Sequence, residues 1–364
     1  MTLLFFDGFE TYDAAATQAV GMGDVYDLHD DGTGSLVTII ASTRITDGQA
    51  MRINFSLLGD TGVNIARGPQ LPLTAFSSAD EWVFGVAMRA TGGLGTAGAV
   101  RPVFELLDSD SNRIISLRVH DNGDLTLDRI STNLTLATLD TATTAITGTD
   151  WNYVEMKVKL SASSGTYEVR VNEVNVMSGA TTSTTSTGAT RPSHLRFGHI
   201  LNQPLDFDDL YILDTTGSLN TDFLGDIRVQ RLRPNAVGDV NQFTLFGGAT
   251  NWESVDELGE DDDTTYVESK TVAQRDLYNY ENLPTSVTGI FGVIAKPVLR
   301  KSDAGSRTYK LIVSSNSFED ETATLYPAGS YVRQAQIFET DPNTGALWDE
   351  AGVNKAQFGV EIVS

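Results

Sequence analysis

"WNYVEMKVKLS", residues 151–161, alternates without a break. In an extended chain Trp151, Tyr153, Glu155, Lys157 and Lys159 fall on one face, and Val154, Met156, Val158 and Leu160 on the other. Apolar residues at a period of two, β-branched in part, mark a strand with one face on a core. The same reading spreads in both directions. "SGTYEVRVNEVNVMSG" (164–179) is a pair of alternating runs that bend at Asn172–Glu173. "RIISLRVHDNGDLTLDR" (113–129) is another pair, joined by the turn signal "DNGD". Upstream come "SLVTIIAS" (35–42), "QAMRINFSL" (49–57), "WVFGVAMRA" (82–90) and "RPVFELLD" (101–108), each bounded by Gly, Asp or Ser. "HLRFGHI" (194–200) and "DDLYILD" (208–214) end the series. No convincing amphipathic helix interrupts it, so the chain reads as all-β, a two-sheet sandwich of jelly-roll type.

The two ends of this region echo each other. "LFFDGFETYD" (3–12) and "LDFDDLYILD" (205–214) both mix aromatics with carboxylates. If they are the first and last strands of one sandwich, they pair, bury Phe5 and Phe207, and gather carboxylates at the strand ends. The polar tract "SGATTSTTSTGAT" (178–190) lies between strands of the same domain and reads as an exposed loop. "DTTGSLNTD" (214–222) is the better boundary. Beyond it "GDIRVQRLRP" (225–234) starts a second strand series, with "SVTGIFGVIAKPVLR" (286–300), "RTYKLIVSS" (307–315), "AQIFET" (335–340) and a closing "NKAQFGVEIV" (354–363). A short helix fits 272–279, with poor periodicity.

Composition narrows the partners. The chain has 364 residues, 48 acidic and 25 basic, a net charge of −23, and no cysteine. Both regions are acidic, so the field repels phosphate backbones and no nucleic-acid partner is expected. Disulfides and thiolate metal sites are excluded. No apolar run reaches the length of a membrane span, and the first residues lead straight into a strand, so neither a membrane nor a signal peptide is expected.

The segments "FxDGFExY" (Phe5, Asp7, Gly8, Phe9, Glu10, Tyr12), "GDLTL" after Asp121, "WNYVEMKVKLS…GTYEVRVN" and "DFDDLYILD" together resemble the concanavalin A-like (laminin-G-like) jelly-roll domain. The second region, with "GDIRVQRLRPN" (225–235), "DDDTTYVES" (261–269) and "ETDPNTGALWDEAGVNKAQFGVEIV" (339–363), is similar to the C-terminal part of phage and prophage structural proteins that carry such a jelly roll in front. The resemblance implies a jelly roll at 1–215, a linker at 216–224, and a β-rich virion-anchoring or packing domain at 225–364. It implies a non-enzymatic virion structural protein on the particle surface, a head decoration or a tail or fibre component, made in the host cytoplasm. Its partners would be other virion proteins and further copies of itself, a trimer among the states open to it. The alternative is a lectin-like tail protein that recognises host surface carbohydrate.

Candidate chemistry is sparse. Glucanases of this fold carry Glu-x-Asp-x-x-Glu or close to it along one strand. The nearest match, "FELLDSD" (104–110), puts Glu105 and Asp108 on opposite faces, and Asp108 and Asp110 read as a turn. His194 and His199 point oppositely on one strand, and His29 and His120 stand apart, so no imidazole set suits a metal. Calcium is the one cofactor worth weighing, as an ion that takes carboxylate and carbonyl oxygens. Paired end strands, as the resemblance implies, would bring Asp7 and Glu10 near Asp208 and Asp209; the competing reading makes these caps of turns. Glu260, Asp261 and Asp263 in "GEDDDTT" (259–265) are a second candidate, against a solvated loop. Trp82 and Trp151 read as core or sheet-edge anchors and Trp348 as packing. Trp252 lies in loop-like surroundings.

Overall fold

The computed structural model describes residues 2–12, 21–28, 37–54, 68–95, 98, 100–130, 136–180, 183–186, 188–198, 204–257, 259–284 and 287–364. The chain divides into two compact units, Met1–Val229 and Gln230–Ser364. Among the described residues no helix is long and apolar enough to cross a membrane.

The first unit contains β1 (Leu3–Asp7), β2 (Val37–Ala41), β3 (Gln49–Ile53), β4 (Gln70–Pro72), β5 (Glu81–Arg89), β6 (Val100–Leu107) and β7 (Arg113–His120). It continues through β8 (Leu125–Ile130), β9 (Leu136–Ala142), β10 (Asn152–Lys159), β11 (Thr166–Val171), β12 (Val174–Ala180), β13 (His194–Phe197) and β14 (Leu205–Asp214). An eight-stranded sheet runs β12-β11-β10-β5-β14-β3-β2, with β1 also on β14; a six-stranded sheet runs β4-β13-β6-β7-β8-β9. The expected all-β jelly roll is the fold observed.

Alternation explains how the sheets close. Val154, Met156, Val158 and Leu160 of the opening stretch all enter the core, and Tyr153 and Glu155 on the opposite face are buried too. The two sheets meet through aromatics: Phe84 on β5 lies 6.1 Å from Phe104 on β6, and Phe207 on β14 lies 5.1 Å from Phe197 on β13. Trp82 stacks on Phe84 and is fully buried. The hairpins fall where expected. Val119 pairs with Leu125 across the "DNGD" turn, and Asn172 and Glu173 take φ of 50° and 68° at the β11–β12 bend, the two left-handed residues of a tight hairpin.

The end strands pair, with Phe5 opposite Ile212 and Asp7 opposite Leu210. The carboxylates, however, sit inside β14 and not at its end. Leu205 and Phe207 face the core, then Leu210 and Ile212 do, so the inward parity changes. A bulge between Asp208 and Tyr211, with Asp209 at φ 50°, supplies the extra residue. At the same place β14 changes neighbours along one edge, from β3 at Leu205–Phe207 to β1 at Leu210–Leu213.

Residues 225–229, expected to open the second strand series, are irregular and belong to the first unit. Backbone N–H groups of Leu224, Gly225 and Val229 donate to Tyr211 Oη (3.1 Å), Glu155 Oε1 (2.9 Å) and Asp209 Oδ1 (2.7 Å). The expected linker therefore continues into a segment held on the sheet by side-chain acceptors, which competes with strand pairing for the same donors.

The second unit contains β15 (Pro234–Asn241), β16 (Thr244–Phe246), β17 (Tyr266–Glu268), β18 (Arg275–Tyr280), β19 (Val293–Ala295), β20 (Val298–Leu299), β21 (Tyr309–Ser315), β22 (Phe318–Glu321), β23 (Val332–Arg333), β24 (Gln336–Phe338) and β25 (Gln357–Ile362). Its main sheet runs β15-β18-β25-β21-β22. The short helix expected at 272–279 is strand β18 instead, because Leu277 and Tyr278 are needed in the sheet between β15 and β25. The closing strand β25 is central in this sheet. Its Phe358 packs with Trp348, Phe338 and Val353 in a small core, and Trp348 Nε1 donates to Phe338 O at 2.9 Å.

Gly85 is required by this packing. A Cβ built there runs into the ring of Tyr211, which lies against the strand and stacks on Tyr153 with centroids 6.4 Å apart. Gly85→Ala should therefore destabilise the protein by about 2 kcal/mol, the cost of overpacking. Denaturant unfolding of the full chain measures it, and an unchanged midpoint would refute the assignment.

Candidate functional site

Two constellations of polar side chains are built by the first unit. One surrounds the β14 bulge. Asp7 accepts from Phe9 N (3.1 Å), Tyr12 Oη (2.7 Å) and Tyr26 Oη (3.1 Å). Asp208 accepts from Ser42 Oγ and from Asp209 N (2.8 Å). Asp209 accepts from Arg44 Nε (2.6 Å) and Val229 N, while its carbonyl accepts from Tyr153 Oη (2.9 Å). Glu10 is 4% exposed, and a Cβ on Gly8 would strike its Oε2.

The structure thus brings Asp7, Glu10, Asp208 and Asp209 into one neighbourhood, as the end-strand pairing implies. Burial, followed by the charges of Asp208, Asp209 and Asp7, pushes the Glu10 carboxyl up to about 10. Burial also raises Asp208, with Asp209 adding to it. It raises Asp209 as well, in spite of the Arg44 ion pair. The donor chemistry is that of a hard-cation site. Yet among the described residues no three carboxylates or imidazoles converge on one point at ligating distance. Asp7 and Asp209 are tied to two tyrosines and an arginine.

The second candidate set is spread out by the fold. Glu260 pairs with Arg333 (Nη1 to Oε1, 2.8 Å), Asp261 accepts from Thr265 N and Oγ1, and Asp263 accepts from Arg300 Nη2 (2.6 Å) and Tyr331 Oη (2.9 Å). Glu260 is held below the usual carboxylate range by Arg333 against the effect of burial, and Asp263 by Arg300 and Tyr331. Each carboxylate has its own protein partner.

The other constellation was not singled out by sequence. On the six-stranded sheet, Leu71, Leu195, Phe197, Phe104, Leu106, Ile115, Leu117, Leu125 and Leu127 face the core. Their neighbours face outward, and register places them in a line. Arg196 sits opposite both Gln70 and Glu105, Glu105 opposite Ser116, Ser116 opposite Asp128, and Asp128 opposite Thr138. A transverse row of six polar side chains thus crosses every strand of the sheet. Glu105, Ser116 and Asp128 form its floor at 0% exposure. Glu105 accepts from Arg196 and from Ser116 Oγ (3.2 Å), with Arg113 Nε 2.8 Å away. Asp128 accepts from Arg118 Nε (2.7 Å), Thr126 Oγ1 (3.0 Å) and Thr138 Oγ1 (2.7 Å). His120 Nε2 meets Thr126 Oγ1 at 3.1 Å, and the buried Nδ1 of His194 meets no partner.

Glu105 and Asp108 do not join as an acid–base pair. Asp108 accepts from the N–H groups of Asp110 and Asn112 in a turn, as its surroundings suggest. His29 and His199 lie outside the described residues. Trp151 is half-buried just before β10, an interior strand of its sheet and not an edge, with Arg89 4.5 Å and Arg44 5.7 Å above its ring. The signal for the polar row was present in the alternation "HLRF", "FELL", "SLRV" and "LTLD", whose polar members fall out of phase with the core. Only strand order brings them into one line.

No family model matches the chain, and no curated protein matches it. Solved structures do. Domain 4 of AbnA, a GH43 extracellular arabinanase from Geobacillus stearothermophilus, in complex with arabinotriose, is 14% identical over 58% of this chain and 92% of its own, with a TM-score of 0.36. The alginate lyase Aly36B is 14% identical over 56% and 94%, TM-score 0.34. The CBM40 of Ruminococcus gnavus IT-sialidase bound to α2,3 sialyllactose is 11% identical over 41% and 87%, TM-score 0.30. At these identities and scores the likeness reaches no site. None of these three is described as a virion component.

The carboxylate cluster makes a pH prediction. A Glu10 carboxyl raised in the fold from 4.5 to about 10 stabilises most fully below pH 4.5, and the contribution is lost as pH rises through about 10. In chelator-containing buffer, stability should fall between pH 5 and pH 8 by up to about 1.4 kcal/mol per unit from this group. Glu10→Gln should remove that share of the slope; parallel slopes for variant and wild type would refute it. Calcium added back at pH 8 raises the melting temperature only if the cluster takes a cation in place of its protons.

Proposed function

We propose that this chain is a non-enzymatic saccharide-binding protein and that the outer face of the six-stranded sheet is its binding surface. On the particle surface implied by the sequence resemblance, it would act as a receptor-binding component for host glycan. The observation that carries the reading is the transverse row Gln70–Arg196–Glu105–Ser116–Asp128–Thr138. A sugar chain presents hydroxyls that donate and accept by turns. It is matched by the partly exposed guanidinium donors of Arg113 and Arg118, which the buried carboxylates of this row hold in place.

Binding without turnover is the better account of this face. The oxygens of Glu105 and Asp128 are committed to arginine, serine and threonine donors of the protein itself. A retaining or inverting hydrolase needs two carboxyl groups facing the scissile bond, one of them delivering a proton. Here the carboxylates lie beneath the arginines and serve to hold them. The reading as a purely structural decoration or fibre component is supported by the resemblance alone.

His194, half-exposed on the same face beside Arg196, tests the surface without breaking its ion pairs. An oligosaccharide array probed with the full chain should give saturable binding. His194→Ala should weaken that binding about fivefold to tenfold, the worth of a hydrogen bond or two, with melting unchanged. An array without any binder, or a variant that binds as wild type, would remove the proposal.

A further inference from the structure

Three arginines stand over the two buried carboxylates of the polar row. Arg196 donates Nε and Nη2 to Glu105 Oε2 at 2.8 and 2.6 Å, Arg113 places Nε 2.8 Å from Glu105 Oε1, and Arg118 donates Nε to Asp128 Oδ2 at 2.7 Å. Arg113 and Arg118 are each gripped by the Nε side alone. Among the described residues, no acceptor meets either Nη group of Arg113 or of Arg118, nor Nη1 of Arg196. The side chains of Arg113 and Arg118 remain 17% and 20% exposed, above carboxylates that are fully buried.

This is an unusual charge arrangement for a chain of net −23. Within the cluster three guanidinium groups answer two carboxylates, which leaves one positive charge uncompensated. The unfilled N–H donors belong to rigid planar forks already fixed in orientation, so a ligand need not order them. A guanidinium edge with two parallel N–H groups matches the two oxygens of a carboxylate.

We propose that the saccharide bound on this face is acidic, a uronate-bearing oligosaccharide whose carboxylates are received by the Nη groups of Arg113 and of Arg118, one at each. The inference rests on the saccharide-binding reading and adds the charge and functional group of the ligand. The buried carboxylates act as positioning groups. Glu105 and Asp128 aim the arginines, while His194, partly exposed on the same face, is left to meet a hydroxyl.

Calorimetric titration of the full chain tests this with five probes: tetragalacturonate, tetramannuronate, the methyl ester of each, and maltotetraose. A uronate tetramer should bind. Its methyl ester should bind at least tenfold more weakly, and added salt should raise Kd for the acid and not for the ester. Arg113→Gln and Arg118→Gln should each weaken acid binding about tenfold and lower melting, since a buried carboxylate loses its ion pair, and Arg118→Lys should restore melting and recover part of the binding. Should Arg113→Gln fail to fold, Arg118→Gln alone decides. Esters or maltotetraose binding as tightly as the acids would overturn the acidic-ligand inference and leave saccharide binding standing. Acid binding that both arginine variants retain in full would overturn the assigned site. If none of the five binds while the oligosaccharide array shows neutral or sulfated binders, the carboxylate inference falls alone. With an empty array, both readings fall.

Discussion

Strand β14 carries one residue more than its neighbours can pair, and much of the first unit is arranged around that residue. The bulge at Asp208–Asp209 reverses which side chains of β14 face the core, so Leu205 and Phe207 before it and Leu210 and Ile212 after it all contribute to one hydrophobic cluster. It also lies where the strand exchanges β3 for β1 along one edge. Exchanging partners leaves backbone groups and carboxylates away from water, and each needs a donor or acceptor. Ser42, Arg44, Tyr12, Tyr26 and Tyr153 supply them. The acidic character of "LDFDDLYILD" is therefore structural at this point. Burial pushes both Asp209 and Glu10 up, opposed by the Arg44 ion pair at Asp209 and reaching about 10 at Glu10.

The other sheet solves a different problem. Its outward side chains are too polar for a second core, yet Glu105, Ser116 and Asp128 lose all contact with solvent. Arginine makes this tolerable. Its long apolar stem covers the floor, while its Nε reaches a carboxylate and its remaining N–H groups stay at the surface. Thr138 takes the Asp128 oxygen that no arginine reaches, while Thr126 shares the other with Arg118 and Ser116 shares a Glu105 oxygen with Arg113. The outcome is a stiff platform of guanidinium donors over buried acceptors, on a sheet whose inner face is held by Phe104, Leu106, Ile115 and Leu117. Stiffness and polarity together suit a polyhydroxyl ligand, and they also make the two faces of the sheet interdependent.

Strands were legible wherever alternation was strict. "WNYVEMKVKLS" and the hairpins at "DNGD" and Asn172–Glu173 read correctly, since period-two patterning and turn chemistry are local properties. Local patterning failed at 225–234, where β-branched and basic residues look like a strand but the donors are taken by Glu155, Tyr211 and Asp209. It failed also at 272–279, where weak helical spacing yields to the pairing demands of β15 and β25. The bulge left a trace that was readable in principle: Phe207 and Leu210 are three apart, an odd interval for two core residues of one strand.

By itself the sequence determined the all-β class and the hairpins, because these follow from side-chain period, turn residues and hydrophobic burial along the chain; the pairing of its aromatic–acidic end strands was what the resemblance implied. It also brought Asp7, Glu10, Asp208 and Asp209 into question together. Only the tertiary structure decided which carboxylates share an environment and which are parted, as Glu260, Asp261 and Asp263 are by Arg333, Thr265 and Arg300. It alone aligned Gln70, Arg196, Glu105, Ser116 and Asp128, residues from five strands with no common spacing. The physical reason is strand order. Register between neighbouring strands is set by the whole sheet, and a row running across it has no counterpart along the chain.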